Sequence, residues 1–358
     1  MQSHTEIELL NELVAARTAF DVDAILSRVP VVPLEDYHWI SNSERHGAWQ
    51  PGKLHWIPVG RNRGNAGNIK LAGEPFNPIA ERLVNGMEAL IELMRLIEAR
   101  ELPENQPPSS PRDAVLRYFG LPKLDVLEGY SDDERKKLRA IASDLQSRLR
   151  IYLDQDKASK QFAITIRDFG IGQTPHDMSD TLLSLGQSDK PDKPYLIGLF
   201  GQGGSSAYAA SEYSVVISRR AEEIRASAED ARIGWSIVRH VYPVGRRDPY
   251  FAYLAADEEG RVPQLSLSAS ESSGFESGTH FCHLNYDFGG AKSAVSRQLY
   301  QALNHVLFNP VLPYELYAMK DKPDPMRGTA QRLALQTRRA SRTESLDKSF
   351  SDLVVEAG

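Results

Sequence analysis

Glu81, Asn85 and Glu88 recur at i, i+4 and i+7 in the segment Glu81-Arg-Leu-Val-Asn85-Gly-Met-Glu88-Ala89. On a helix that spacing lines the three side chains along one stripe. A carboxylate one turn from a carboxamide suits metal-assisted phosphate hydrolysis, because the amide oxygen can ligate Mg²⁺ while the carboxylate polarises a water. Glu92 and Arg95 continue the stripe, so the pattern also reads as the solvated face of an amphipathic helix. A second group, Arg167-Asp168-Phe-Gly170-Ile-Gly172, closes the alternating run Phe162–Arg167. Alternation puts Phe162, Ile164, Ile166 and Asp168 on one face of a strand, so a carboxylate ends an apolar row and needs a donor. An adenine amino group is such a donor. Gly170 and Gly172 would let the backbone turn and lie against a flat base. The plainer alternative is a tight turn in which Asp168 bonds its own backbone.

The third group, Ile197-Gly198-Leu-Phe-Gly201-Gln-Gly203-Gly204-Ser205-Ser206, leads into a small-residue helix over Ser205–Ser211. Glycines present bare N–H groups at a helix start, an anion site suited to phosphates. The polar, Pro-containing Ser184–Pro194 ahead of it reads as a lid. Two familiar phosphate motifs do not fit. A P-loop lysine is missing after Gly203, and Ser206 breaks the dinucleotide-binding spacing. Asp168-Phe-Gly170 mimics the protein-kinase metal triplet, but no His-Arg-Asp loop precedes it.

These groups need elements to hold them. Pro78 at a first helical position, capped by Asn77, predicts a helix to about Arg100. A proline-rich connector follows, then helices near Asp113–Phe119 and Asp132–Leu153. Strands are expected at Phe162–Arg167, Tyr213–Ser218, Gly234–Val241, Tyr250–Ala255, Gln264–Ser268 and Thr279–Leu284, with a last helix over Ala294–Phe308. Of 358 residues, 41% are hydrophobic and 25% charged, which is ordinary globular usage and excludes a disordered or collagen-like chain. With 42 basic and 48 acidic residues the net charge is −6, so the chain is no polycation. The single cysteine, Cys282, excludes an internal disulfide and a Cys-rich zinc site. His280 and His283 read as structural, and Trp39, Trp49, Trp56 and Trp235 as core. The start of the chain lacks a basic n-region before an apolar run, and no stretch approaches a membrane span. A cytoplasmic protein without membrane contact is expected.

Taken in order, the groups resemble the GHKL ATPases: gyrase B, the ninety-kilodalton heat-shock chaperones, histidine kinases and MutL. That family runs from a helix with Glu-x-x-x-Asn-x-x-Asp/Glu-Ala to Asp-x-Gly-x-Gly, then a lid ending in Gly-x-x-Gly-x-Gly, then a late Gly-Thr. Here the quartet is Glu81/Asn85/Glu88/Ala89, Asp168/Gly170/Gly172, Gly198/Gly201/Gly203 and Gly278-Thr279. Its form is nearest to the chaperone and MORC branches. The resemblance implies a two-layer α/β (α+β) sandwich of the Bergerat type, with helices on one face of a mixed, mostly antiparallel sheet. It divides the chain into an arm or cap at 1–54, an ATP-binding domain at 55–290 with a helical insertion at about 101–158, and a C-terminal helical extension at 291–358.

The resemblance further implies ATP and Mg²⁺ as cofactors and assigns roles residue by residue. Glu81 becomes the general base and Asn85 the Mg²⁺ ligand. Asp168 reads the adenine amino group with Thr279 assisting, Gly170 and Gly172 pack near the base, and Gly198, Gly201, Gly203, Gly204 and Ser205 cover the phosphates. Relatives take a lysine from a following domain to the γ-phosphate, for which the chain offers Lys320 and Lys322. The implied function is an ATPase that dimerises on ATP binding as a switch coupled to DNA or an effector partner, as in DNA processing or anti-phage defence. The alternatives are a chaperone-like ATPase and a nucleotide-binding module without turnover. Arg327, Arg332, Arg338, Arg339 and Arg342 form a basic tail that either touches nucleic acid or is simply solvated.

Overall fold

A computed structural model describes residues 2–29, 54–122, 130–185, 193–197, 205–243, 248–289 and 294–329. Its centre is a nine-stranded sheet in the order β1-β6-β5-β4-β7-β3-β2-β8-β9. The strands are β1 His55–Pro58, β2 Leu149–Gln155, β3 Phe162–Asp168, β4 Tyr213–Arg219, β5 Gly234–Val241, β6 Tyr250–Ala255, β7 Gly278–Leu284, β8 Tyr314–Ala318 and β9 Asp324–Met326. All neighbours run antiparallel except β2 and β8, which are parallel. The expected mixed α/β class with a mostly antiparallel sheet is therefore present.

One face of the sheet is covered by α3 Asn77–Glu101, α4 Pro111–Phe119, α5 Asp132–Gln146 and α8 Val295–Val306. Ile79, Leu83, Met87 and Leu90 recur every three to four residues along α3 and are buried, the pattern of a helix laid on a sheet. They meet Ile164 and Ile166 of β3 and Ile151 of β2 in one core. The short α6, Ser206–Ala209, lies on the same side, where Tyr208 packs with Val216 and Phe281.

Helices also cover the second face, which corrects the one-sided layering implied by the family resemblance. There α1 Gln2–Ala15, α2 Ala19–Leu26 and α7 Leu267–Ser272 enclose Val215, Ile217, Trp235, Ile237 and Cys282. The N-terminal arm thus closes a core of its own, and it is tied down by polar contacts as well. Thr18 and Asp21 form a reciprocal cap at the start of α2, and the Tyr213 hydroxyl donates to Asp23 at 2.7 Å.

Further differences have local causes. The helix expected over Asp132–Leu153 ends at Gln146. The spacing Leu138, Ala142, Leu145 is helical, but Leu149, Ile151, Leu153 alternate and form β2 beside β3. The inserted stretch is therefore only partly helical, and its helices share the main core. Gln264 makes a single bridge to Gly234 rather than starting a strand, because Ser266 caps α7 immediately after it. Among the described residues of the expected C-terminal helical extension, α8 is helical and β8 and β9 then extend the sheet. The first residue ahead of α3 is Phe76, not Asn77. Trp56 and Trp235 are core as expected, while Trp39 and Trp49 lie outside the described residues.

Candidate functional site

Four chain segments far apart in sequence meet at one end of the sheet, where β3 ends and β7 begins. Asp168 pairs with Leu149 at this end, and its predecessor Arg167 faces His280. As alternation requires, Asp168 shares the α3 face with Ile164 and Ile166. It is only 6% exposed. Two backbone groups, Gly170 N–H at 3.0 Å and Thr279 N–H at 3.3 Å, donate to its Oδ1. Burial pushes its carboxyl up to about 6, against the opposing pull of Arg167 and those N–H groups. Both bonds fall on one oxygen, so Oδ2 remains as an acceptor for a ligand's N–H among the described residues. The turn reading of Asp168 is half fulfilled, since Gly170 closes an Asx-type bond, but the Thr279 contact ties that turn to β7.

Glycines set the distance to α3. A Cβ added to Gly86 would stand 3.4 Å from the Asp168 Cβ, and one on Gly170 would stand 2.6 Å from the Ala89 carbonyl carbon. Helix and loop are therefore in direct backbone contact. The Ile171 N–H completes the seam by donating to the Ala89 carbonyl at 3.0 Å. Gly172, at φ +57°, then turns the chain toward Arg219.

On α3 the stripe is not a plain solvated face. Glu81 is exposed and Asn85 half-buried, but Glu88 is 3% exposed and accepts the Ile197 N–H at 2.7 Å. One turn on, Glu92 pairs with Lys193. Two carboxylates of α3 thus hold the segment Lys193–Ile197 against the helix. Gly198, Gly201, Gly203 and Gly204, which follow it, lie outside the described residues. Ser205 is half-buried just ahead of α6.

Thr279 is buried, with its Oγ1 3.0 Å from the Ser218 hydroxyl on β4. Ser218 also bonds the Gly278 carbonyl and accepts the Gln173 N–H at 2.8 Å. Sequence reasoning missed Ser218, although a serine on the core face of a Val/Ile strand was a readable signal. It also missed Arg82, a charged residue on the sheet-facing arc of α3 with 6% exposure.

Lys320 and Lys322 fall elsewhere. Ala318 pairs with Leu153 at the opposite end of β2 from Leu149, a strand length of ~13 Å from the Asp168 end. Lys320 pairs there with Asp324 at 2.7 Å. Of the basic tail only Arg327 is described, and it bonds Ser143 and Gln146 of α5. His280, Cys282 and His283 are buried, the first two facing away from the third, and no cluster of three metal-ligating residues occurs among the described residues. Nor does any described helix have the length and apolarity to cross a membrane. A separate cavity of about 560 Å³ beside the last turns of α3 is lined by Arg100, His176, Asp177 and Arg220. It touches none of Glu81, Asn85, Asp168 or Thr279. Compared with known proteins, the chain matches no family model and no curated protein.

Proposed function

We propose that this chain is a Mg-ATP-binding ATPase of the GHKL type. In this reading it acts as an ATP-driven dimerisation and conformational switch coupled to DNA or an effector partner, in a setting such as DNA processing or anti-phage defence. The observation that carries the reading is the buried Asp168 carboxylate. It is held by Gly170 and Thr279 N–H groups at the sheet end, against the helix that bears Glu81, Asn85 and Glu88. A buried carboxylate with an oxygen to spare suits the adenine amino group.

Asn85 would hold the Mg²⁺, which characteristically keeps waters and substrate phosphates as its other ligands. When bound, the ion would neutralise charge on the phosphates. Glu81, one turn before Asn85 and exposed, would accept a proton from an attacking water. Glu88 holds Ile197, just ahead of the glycine-rich stretch, through its backbone N–H. Thr279 and Ser218 fix the polar floor beside Asp168.

Calorimetric titration of Mg-ATP into wild type and Asp168→Asn tests the nucleotide site. Micromolar binding that disappears in the variant supports the reading; failure of the wild type to bind ends it. Phosphate release by wild type but not by Glu81→Ala would then separate an ATPase from a nucleotide-binding module without turnover. Sedimentation with a non-hydrolysable ATP analogue tests dimerisation.

A further inference from the structure

Arg82 has no task in the reading above, yet its position is costly. It sits on α3 between Glu81 and Asn85, facing the sheet at 6% exposure. Its guanidinium carbon lies 3.9 Å from the Phe281 ring centroid and 5.0 Å from that of Tyr208, so β7 and α6 each offer it an aromatic ring. No carboxylate pairs with it among the described residues. Its Nε and Nη2 are both buried without a hydrogen-bond partner. Beside it, His283 is fully buried with its Nε2 equally unpartnered, and it faces the Arg82 charge from β7.

A guanidinium stays charged when buried. Aromatic faces replace only part of the hydration it has lost, and orphaned buried donors in a native fold require an explanation. The two orphaned donors also share one edge of the guanidinium. Nε–H and Nη2–H point the same way, as the parallel fork that takes two oxygens of one phosphate or carboxylate. Phe281 is two residues along β7 from Thr279, about 7 Å, and Arg82 is one helical turn, about 6 Å, from the Gly86 that packs on Asp168. The fork therefore stands between helix and sheet, one turn from the base-reading carboxylate and toward Glu81 and α6.

We infer that Arg82 is the anion-binding residue of this site and takes two oxygens of a phosphate group on the bound nucleotide. The inference rests on the nucleotide reading for the identity of the ligand, but not for the presence of the anion site. Arg82 thereby makes the site select phosphorylated over unphosphorylated nucleosides.

The test is calorimetry at fixed salt on wild type, Arg82→Lys and Arg82→Met, with adenosine, ATP and inorganic tripolyphosphate as probes. Methionine keeps an apolar chain between the two rings, and unfolding midpoints verify that each variant is folded. The expected result is ATP binding weakened ~10- to 100-fold in Arg82→Met, as loss of a charged hydrogen-bond pair implies. Tripolyphosphate binding disappears, and adenosine affinity stays within about twofold. Lysine restores part of the ATP affinity, since it keeps the charge without the fork. Equal losses for adenosine and ATP would overturn the inference in favour of a structural role, and unchanged ATP binding would overturn it outright. Arg82-dependent tripolyphosphate binding by a protein that ignores adenosine and ATP would sink the nucleotide reading and leave the anion site standing. A wild type that binds none of the three probes would end both.

Discussion

Burial holds the Asp168 carboxyl near 6, so at neutral pH the ionised form persists at a cost to folding. The folded state binds this proton more tightly than the unfolded chain does. The contribution is thus fully present below about 3.8 and is lost as pH rises through 6. A shift of that size corresponds to roughly 3 kcal/mol. Asparagine removes the charge and keeps an oxygen for the Gly170 and Thr279 N–H groups. Asp168→Asn is therefore expected to match or exceed wild-type stability by ~1–3 kcal/mol at pH 8, and to lose that advantage at pH 4, while ATP binding is lost. Denaturant titrations at both pH values check this, and a variant less stable at pH 8 would mean that Asp168 is a structural residue. In wild type, ATP affinity should weaken as pH falls through 6, because the protonated carboxyl loses acceptor capacity for the adenine amino group.

At the scale of elements, α3 works as a spine with different tasks along its length. Its N-terminal half carries Glu81, Arg82 and Asn85; its middle abuts Asp168 and the loop at Gly170; beyond that it holds Lys193–Ile197 through Glu88 and Glu92. Glu88 accepts a backbone N–H while buried, a bond to a charged acceptor whose loss costs ~1–3 kcal/mol. Glu88→Ala is expected to speed amide exchange at Ile197 by roughly one to two orders of magnitude and to weaken ATP binding, with adenosine less affected. Exchange measured by mass spectrometry or NMR decides it. Unchanged protection at Ile197 would show that the segment is held by its apolar contacts, Tyr195 and Leu196 in the core, rather than by the carboxylate.

At the scale of the molecule, the N-terminal helices are as integral as the sheet. Leu13 is fully buried on α1 among Val215, Ile237 and Leu284 on the second face. Leu13→Ala should cost ~2–5 kcal/mol through lost burial and the cavity left behind, read as a lower denaturant midpoint in a transition shared with the rest of the fold. A loss confined to a separate early transition would make the arm an independent unit. The buried histidines set the acid limit. Burial pushes His280 down to about 3, and His283 likewise falls well below its ordinary value. Depressed histidines contribute stability above about 6.5 that is lost as pH falls, because only the unfolded chain takes up the proton. Asp168 acts in the opposite direction over its narrower window, so two histidines against one aspartate leave a net loss. Thermal unfolding from pH 8 to pH 5 should show a falling midpoint; a flat or rising one would contradict this balance.

The sequence by itself determined most of the elements around the candidate site and marked Glu81, Asn85, Glu88, Asp168 and Thr279 on them, but not Ser218 or Arg82. Glu81, Asn85 and Glu88 along one helix, Asp168 closing an apolar strand face, and Gly278-Thr279 opening another strand were all readable, because periods of 3.6 and 2 depend on local pattern alone. The split of Asp132–Leu153 into α5 and β2 was also encoded, in a change of period after Leu145 that is short enough to be overlooked. Only the tertiary structure decided which residues became buried charges. Whether Glu88 faces water or the Ile197 amide, whether Arg82 meets a carboxylate or two aromatic rings, and whether Lys320 reaches the site all depend on contacts across 100 residues or more. Likewise, nothing local in α1 and α2 shows that they cover the second face of the sheet, since an amphipathic helix specifies that it must be covered but not by what.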